Sequence, residues 1–368
     1  MRAGCLYVMM RNGGYRGRLE RDAVVNWGSA SLNKKTGKPV AAIDAGSNTI
    51  HLTVAAPDAN GQDLRPLADN ADLVRLGADV TEIGAIGPER AQRAIAAIRQ
   101  QLIIAREHGA ETVLGVATEG VRRAANAEAF LRRVEEETGL RLTAITGEQE
   151  AALAYWGATS EDASIAGLRG VIDLGGGSLE IIVGEREKIA WRVSLPLGAG
   201  VTRKRWAASD PPTFGEMIAT WEGVRGELSR LRPPGSVVDV TVCGGTATTL
   251  ATVAGRAFHK HADPRMVKGA ATAVSGRHRA LPLSTLDALI RLTLRSTEEE
   301  LTKRYRLREG RARLLFSGAV TLYASLSLVG LDELWVSRRG IREGTILAWQ
   351  LAGDGWQDAA ARGVLPVK

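Results

Sequence analysis

Gly170-Val171-Ile172-Asp173-Leu174-Gly175-Gly176-Gly177-Ser178-Leu179-Glu180-Ile181-Ile182-Val183-Gly184 reads as strand, glycine turn, strand. The apolar run of Val171 and Ile172 ends on a carboxylate, Asp173. Three glycines follow, so the backbone is free to take positive φ and no side chain screens its N–H groups. Such a turn presents several amides to one anion. Ser178 adds a hydroxyl, and Glu180 a second carboxylate at the start of the next strand. Asp173 and Glu180 are suited to a hard cation while the amides hold phosphate oxygens. The plainer alternative is a hairpin with a flexible tip. Hairpin turns seldom need three glycines framed by two acids, which favours the phosphate reading.

The device occurs twice. Val40-Ala41-Ala42-Ile43-Asp44-Ala45-Gly46-Ser47-Asn48-Thr49-Ile50-His51-Leu52-Thr53-Val54-Ala55 is again a strand ending in Asp, a Gly/Ser/Asn turn and an apolar strand. The copies lie about 130 residues apart, too far for a solenoid repeat and right for a duplicated domain. Two such hairpins suggest a cleft between halves.

The 368 residues suffice for two domains of ordinary size, and a hydrophobic content of 45% argues against wholesale disorder. The net charge of +7 favours anionic partners. No apolar run approaches the length of a membrane span, so no membrane partner is expected. The two cysteines, Cys5 and Cys243, make neither a disulfide framework nor a zinc pattern, which points to a cytoplasmic protein. Residues 1–38 are basic and lack a sustained period. They read as a disordered extension, or as additions from an upstream start codon.

From Pro39 the pattern is regular. Strands flank the first turn, and Asp63 to Leu67 and Asp72 to Leu76 are two short candidate strands. Pro88 opens a helix that runs to Gly109. Thr112 to Ala117 is a strand, Asn126 to Thr138 a helix, Leu142 to Ile145 a strand, and Glu148 to Trp156 begins another helix. The second half repeats this order. Strands surround the Asp173 turn, with Ile189 to Leu195 a third. Phe214 to Leu231 is a helix and Val237 to Val242 a strand. A Gly244-Gly245-Thr246 turn and a helix from Ala247 follow. Further helices occupy Pro282 to Arg304. Arg313 to Leu328 is a long apolar helix, Glu333 to Val336 a strand, and Ile341 to Gln350 a last helix. This is an α/β pattern with mixed sheets. It divides into a first domain over 39–152, a second over 153–339 with a helical insertion, a final helix over 340–354 that can return to the first domain, and a tail over 355–368.

Five motifs in order carry a family likeness: Asp44-Ala45-Gly46-Ser47-Asn48, Ala117-Thr118-Glu119-Gly120-Val121-Arg122, Gly147-Glu148-Gln149-Glu150-Ala151, the Asp173–Glu180 turn, and Gly244-Gly245-Thr246. Over about Pro39 to Gln350 the chain resembles the exopolyphosphatase and guanosine pentaphosphate phosphohydrolase family. The resemblance implies duplicated actin-like, ribonuclease H-like domains of the sugar kinase and chaperone ATPase superfamily, with a cleft between them. It implies hydrolysis of the terminal phosphoanhydride of inorganic polyphosphate, or of the 5′ γ-phosphate of pppGpp, with magnesium. Carried over by motif, Glu150 matches the general base. Asp173 and Glu180 match acidic metal positions, and Asp44 can share the ion across the cleft. Ser47, Asn48, Arg122, Gly175, Gly176, Gly177, Ser178, Gly245 and Thr246 match phosphate-contacting positions. The chain departs from the pattern at Ala152 and Lys268, where arginine and histidine are common, and at Gly244 and Arg313, where serine and aspartate are common.

Phosphoryl transfer needs charge neutralisation, positioning and an in-line nucleophile. Arg122 can grip phosphate oxygens in two-point fashion; alone, it would read as a surface arginine beside Arg123. Glu150 lies in the first turn of a helix, where the dipole lowers a carboxylate pKa, so it is expected ionised. Glu148, two residues away, points elsewhere. Outside the motif either glutamate would read as a capping acid. The basic stretch with Arg256, His259, Lys260, His261, Arg265, Lys268, Arg277 and Arg279 is either a solvated face or a track for a long polyanion. The expected activity is exopolyphosphatase. pppGpp 5′-phosphohydrolase is the near alternative, and a non-catalytic sensor of either anion or a kinase of the same superfamily the further ones. A kinase would need an adenosine motif, which is not evident, and a sensor has no need of Glu150 and the acidic pair. Nucleic acid is not an expected partner, and a homodimer is compatible with the chain.

Overall fold

The structure, a computed structural model, describes residues 37–59, 63–162, 165–258 and 279–366. Nearly all of the basic extension and most of the proposed track, including Arg265, Lys268 and Arg277, lie outside them. The elements are β1 Val40–Ala45, β2 Thr49–Pro57, β3 Leu64–Leu73, α1 Leu76–Ile83, α2 Pro88–Glu107, β4 Thr112–Ala117, α3 Glu119–Arg122, α4 Ala127–Thr138, β5 Leu142–Ala144 and α5 Gly147–Thr159. The second half continues with β6 Arg169–Leu174, β7 Leu179–Glu185, β8 Lys188–Leu195, α6 Ala199–Trp206, α7 Phe214–Leu228, β9 Asp239–Cys243 and α8 Gly245–Phe258. It ends with β10 Arg279–Pro282, α9 Leu283–Thr293, α10 Glu298–Tyr305, α11 Leu315–Val329, β11 Glu333–Val336, α12 Ile341–Ala352 and α13 Trp356–Arg362.

The first sheet has the order β3-β2-β1-β4-β5, and the second β10-β11-β9-β6-β7-β8. Read from β8, the second repeats the first: an antiparallel pair of hairpin strands, the strand that ends in aspartate, then two parallel neighbours. Only β10 is added, antiparallel on the edge. The two halves are duplicated α/β domains of one topology. Asp44 and Asp173 occupy the same place, one residue before the end of β1 and β6. Both turns therefore open at the same end of their sheets.

The halves are laced together by two helices. In α5 every residue from Glu150 to Thr159 is buried, as expected of a helix apolar all round. It packs on the second sheet through Tyr155, Val171 and Ile182. In return α12 packs on the first sheet, where Ile346 and Leu347 meet Val40, Ala42 and Ala55. The 152/153 division expected from sequence falls inside α5, which is continuous. The residues expected as a tail instead form α13, buried on α5 through Trp356, Ala359 and Ala360.

Two other expectations change. The candidate strands at 63–67 and 72–76 are one strand, β3, on the sheet edge, and Leu76 starts α1 instead. Pro66 is accommodated there because β3 pairs through a register shift at Val54/Ala55. The segment Ala312–Val329 is long and apolar enough to cross a membrane by length alone. It is 78% buried, however, and is the core helix of the second domain.

Candidate active site

A cavity of about 440 Å³ lies between the two Asp-ended hairpins. Asp44, Ser47, Asn48, Glu150, Asp173, Gly175, Gly176, Gly177, Ser178, Glu180, Gly245 and Thr246 all line it. Of the catalytic, metal and phosphate positions carried over by motif, Arg122 is the one that is not in this lining. Its Nη1 instead donates to Glu150 Oε2 at 3.0 Å and to the Ile145 carbonyl at 2.6 Å. Arg122 thus holds the Glu150 carboxylate through one of its terminal nitrogens.

Glu150 reaches the cavity because α5 starts sharply. Thr146 caps it, accepting from the Gln149 amide while Gln149 Oε1 accepts from the Thr146 amide. Glu150, one turn in, is 5% exposed, whereas the Glu148 side chain is 73% exposed and sits 3.5 Å from Arg192. The helix terminus is not the strongest influence on Glu150. Burial, then the neighbouring Glu180 charge, pushes its pKa well above the ordinary carboxylate range, against the pull of Arg122. Water exclusion and like charge outweigh the helix terminus.

Three more carboxylates stand close by. Asp173 pairs directly with Glu180 across the antiparallel ladder, a position where like charges repel. Burial raises Asp173 to about 6, although Cys243 donates to it. Burial and then Asp173 raise Glu180 to about 8, against hydrogen bonds from Ser194 and Ser178. Burial raises Asp44 to about 7, with Arg342 opposing and Asp173 adding to the rise. Asp44 Oδ1 is buried without a hydrogen-bond partner. Among the described residues no group of three or more acidic, imidazole or thiol side chains is arranged to hold a metal ion.

The triple glycine serves packing rather than turn conformation. None of Gly175, Gly176 and Gly177 takes a left-handed φ. A Cβ on Gly176 would overlap the Asn48 amide, and one on Gly177 the Glu119 carboxylate. The two hairpin tips touch, and only glycine permits it. Glu119, unassigned from sequence although it stands in the second motif, accepts from Ser47 Oγ at 2.9 Å and from Arg123 Nη1 at 2.6 Å. The positive φ belongs to Gly244, at 93°. The departure at Ala152 is a packing matter, since that residue is fully buried against the second sheet.

Sequence reasoning also missed the arginines. Arg306, Arg308 and Arg311, from the loop after α10, line the cavity together with Arg256, as do Arg338, Arg339 and Arg342 from the loop after β11 and the start of α12. Thr248, Thr252 and Arg256, four residues apart on α8, share a polar face of the lining. The signal was present in Arg306-Leu307-Arg308-Glu309-Gly310-Arg311-Ala312-Arg313, a basic run ahead of the long apolar helix. Arg342 donates through Nε to Thr53 Oγ1 at 2.9 Å and lies 3.6 Å from Asp69. It is the cation nearest in effect to Asp44 and Asp173. His51 bonds Asp69 at 3.1 Å, and burial and Arg342 hold its pKa below the ordinary value.

Residues 53–352 match the Ppx/GppA phosphatase family. Over 307 residues the chain is 30% identical to exopolyphosphatase 1 of Mycobacterium tuberculosis, covering 83% of this chain and 86% of the relative. Over 332 residues it is 32% identical to exopolyphosphatase 2 of the same organism, covering 85% and 98%. A solved Ppx/GppA family member from Aquifex aeolicus superposes with a TM-score of 0.70 at 31% identity, covering 84% of this chain and 97% of that one.

Proposed function

Because the chain belongs to the Ppx/GppA phosphatase family, we propose that it is an exopolyphosphatase, releasing terminal orthophosphate from inorganic polyphosphate. One observation supports polyphosphate over a guanosine nucleotide: Arg256, Arg306, Arg308, Arg311, Arg338, Arg339 and Arg342 line the cavity, whereas among the described lining residues there is no Phe, Tyr or Trp ring to stack a base and His51 is the one imidazole. What lines it is carboxylate at the reacting end and hydroxyl and guanidinium around it. A repeating inorganic anion can use those groups at every phosphate.

In this reading Ser178, the Gly245-Thr246 turn at the start of α8 and Asn48 hold the terminal phosphate. Arg308 and Arg311 balance the charge of the phosphates behind it. Glu150 accepts the proton of the attacking water, and Arg122 fixes the direction of its carboxylate. The crowded carboxylates and the unpartnered Asp44 Oδ1 suit an oxygen-coordinating cation held largely through water, with Asp44, Asp173 and Glu180 around it although no three of them stand as a ready ligand set. Magnesium suits a site that is not a closed cage, since it keeps waters and uses few protein carboxylates. When bound it would supply neutralisation of phosphate charge and restore the ionised form of its neighbours.

The test is phosphate release from long polyphosphate, tripolyphosphate, pppGpp and ATP in parallel, with and without magnesium. Preference for the inorganic chains is the expected result. Faster release from pppGpp than from any inorganic chain would overturn the substrate assignment.

A further inference from the structure

Behind the touching hairpin tips lies a second cavity of about 550 Å³. Ser47, Asn48, Gly176 and Gly177 form the partition, facing the front cavity on one side and this one on the other. We propose that the rear cavity is a second binding site for phosphate oxyanions, held between Arg75 of the first domain and Arg203, Lys204 and Arg313 of the second. The proposal rests on the phosphoanhydride reading for the identity of the anion.

The cations come from both domains and are incompletely satisfied. Arg203 pairs with Glu298 through Nη2, yet its Nε is buried without a hydrogen-bond partner. A buried unpaired donor is costly, and an acceptor entering the cavity would relieve that cost. Lys204 Nζ donates to the Thr81 carbonyl at 3.3 Å, which leaves further donors on the ammonium. Arg75 pairs at 3.0 Å with Glu309, whose side chain is 83% exposed, a contact weak enough to exchange. Arg75 also holds a left-handed φ of 63°, a cost tolerated most often where a side chain must be aimed. Three acids face the cavity: Glu119 is already bound by Ser47 and Arg123, Glu309 by Arg75, and Glu82 is exposed, where water screens its charge. A tetrahedral oxyanion offers acceptors in several directions at once, which converging guanidinium and ammonium groups require. Two sources share that chemistry: the product orthophosphate and a polyphosphate chain. Either would press on the rear of the turns that hold substrate in front.

Calorimetric titration separates the sites. Orthophosphate is titrated into the full chain, into Arg75→Gln/Lys204→Gln, into Lys204→Gln alone, and into a front variant, Ser178→Ala/Thr246→Val. Tripolyphosphate is titrated into the same set carrying Glu150→Gln to prevent turnover. The expected result is two classes of site in the parent. One class weakens about tenfold or more in the rear double variant, in line with loss of charge-assisted bonds, and survives in the front variant. Lys204→Gln alters an exposed helical lysine and should weaken the same class less, so the result does not depend on Arg75. Orthophosphate heat at the rear class assigns it to product, and tripolyphosphate heat alone assigns it to chain. Unchanged binding of both anions in the rear variants would overturn the proposal. A parent in which the front class itself is missing would instead overturn the exopolyphosphatase reading.

Discussion

The two hairpins have the same fold and different chemistry. In the first, Asp44 pairs across the ladder with His51. In the second, Asp173 pairs with Glu180. Duplication reproduced the backbone and the position of the aspartate, but only the second copy sets two buried acids side by side. The first copy is looser as well: a Cβ on Gly46 would meet nothing nearer than 3.4 Å, whereas Gly177 has Glu119 against it. The symmetry thus fixes where a phosphate can sit, and its breaking decides where charge must be neutralised.

The largest effect should come from the residue that serves both hairpins. Glu150→Gln keeps the size and the contact with Arg122 but removes basicity. Since a general base contributes about 10²–10⁴-fold, kcat on polyphosphate should fall by that much with binding preserved. Glu148→Gln should change kcat only slightly. An active Glu150→Gln beside an inactive Glu148→Gln would move the base by two residues. Next comes Asp173→Asn, which should weaken magnesium dependence and activity together. Loss of groups that merely orient metal ligands costs about 10–100-fold, so a direct ligand should cost no less. Wild-type magnesium dependence in that variant would remove Asp173 from the metal site.

The buried acids also predict a pH signature, to which both hairpins contribute through Asp44 and the Asp173–Glu180 pair. Glu180 is raised from 4.5 to about 8 in the fold, so the folded state binds the extra proton. Without magnesium, stability should therefore fall as pH rises from about 4.5 towards 8. Magnesium should flatten that slope, and Glu180→Gln should reduce it, leaving the share that belongs to Asp44, Asp173 and Glu150. Thermal unfolding at several pH values, with and without the ion, measures both. A slope untouched by Glu180→Gln would place its origin elsewhere.

How much of this was legible depends on whether the signal was local. The strands around both turns announce themselves as apolar runs ending on aspartate, and Thr112–Ala117 and Glu333–Val336 fall where sequence placed them. α6 was missed because Arg203, Lys204 and Arg205 give it no apolar stripe, and its place is set by packing on α7 and α11. β3 was split because Pro66, Asp69 and Asn70 oppose strand structure, which an edge position tolerates. In the site, residues fixed by the glycine turns were readable. The charge state of Glu150 was not, because it depends on Glu180 and Asp44, brought near only by the closed cleft. The contact of Arg122 with Glu150 was unreadable for the same reason: the carboxylate it meets lies 28 positions along the chain.

The contrast in packing gives a smaller test. Gly177→Ala must displace the Glu119 carboxylate, and overpacking of that kind typically costs about 1–3 kcal/mol. Gly46→Ala makes only ordinary contacts and should stay within about 0.5 kcal/mol. Denaturant melts of the two variants read the difference directly. Equal costs would mean that the hairpin tips do not touch in solution.

The smallest effect compares two identical helix starts, one at the site and one remote from it. Thr146 and Thr213 both close capping boxes, with Gln149 and Glu216 as the reciprocal partners. Replacing either threonine by alanine should cost about 1 kcal/mol of stability. Only Thr146→Ala should also lower kcat, since Glu150 follows it within one turn. The partners differ in acid. Burial works to raise the Glu216 pKa, but hydrogen bonds from the Thr213 and Ser209 amides outweigh it and hold it at about 2. A depressed carboxylate contributes stability above its unfolded value of 4.5 and loses it as pH falls towards 2. Thr213→Ala should therefore lose more stability at pH 6 than at pH 3, while Thr146→Ala, whose partner Gln149 does not titrate, should lose the same at both. Parallel unfolding curves of the two variants at those pH values make the measurement. If Thr146→Ala showed the pH-dependent loss and Thr213→Ala did not, the two caps would be doing something other than what their hydrogen bonds describe.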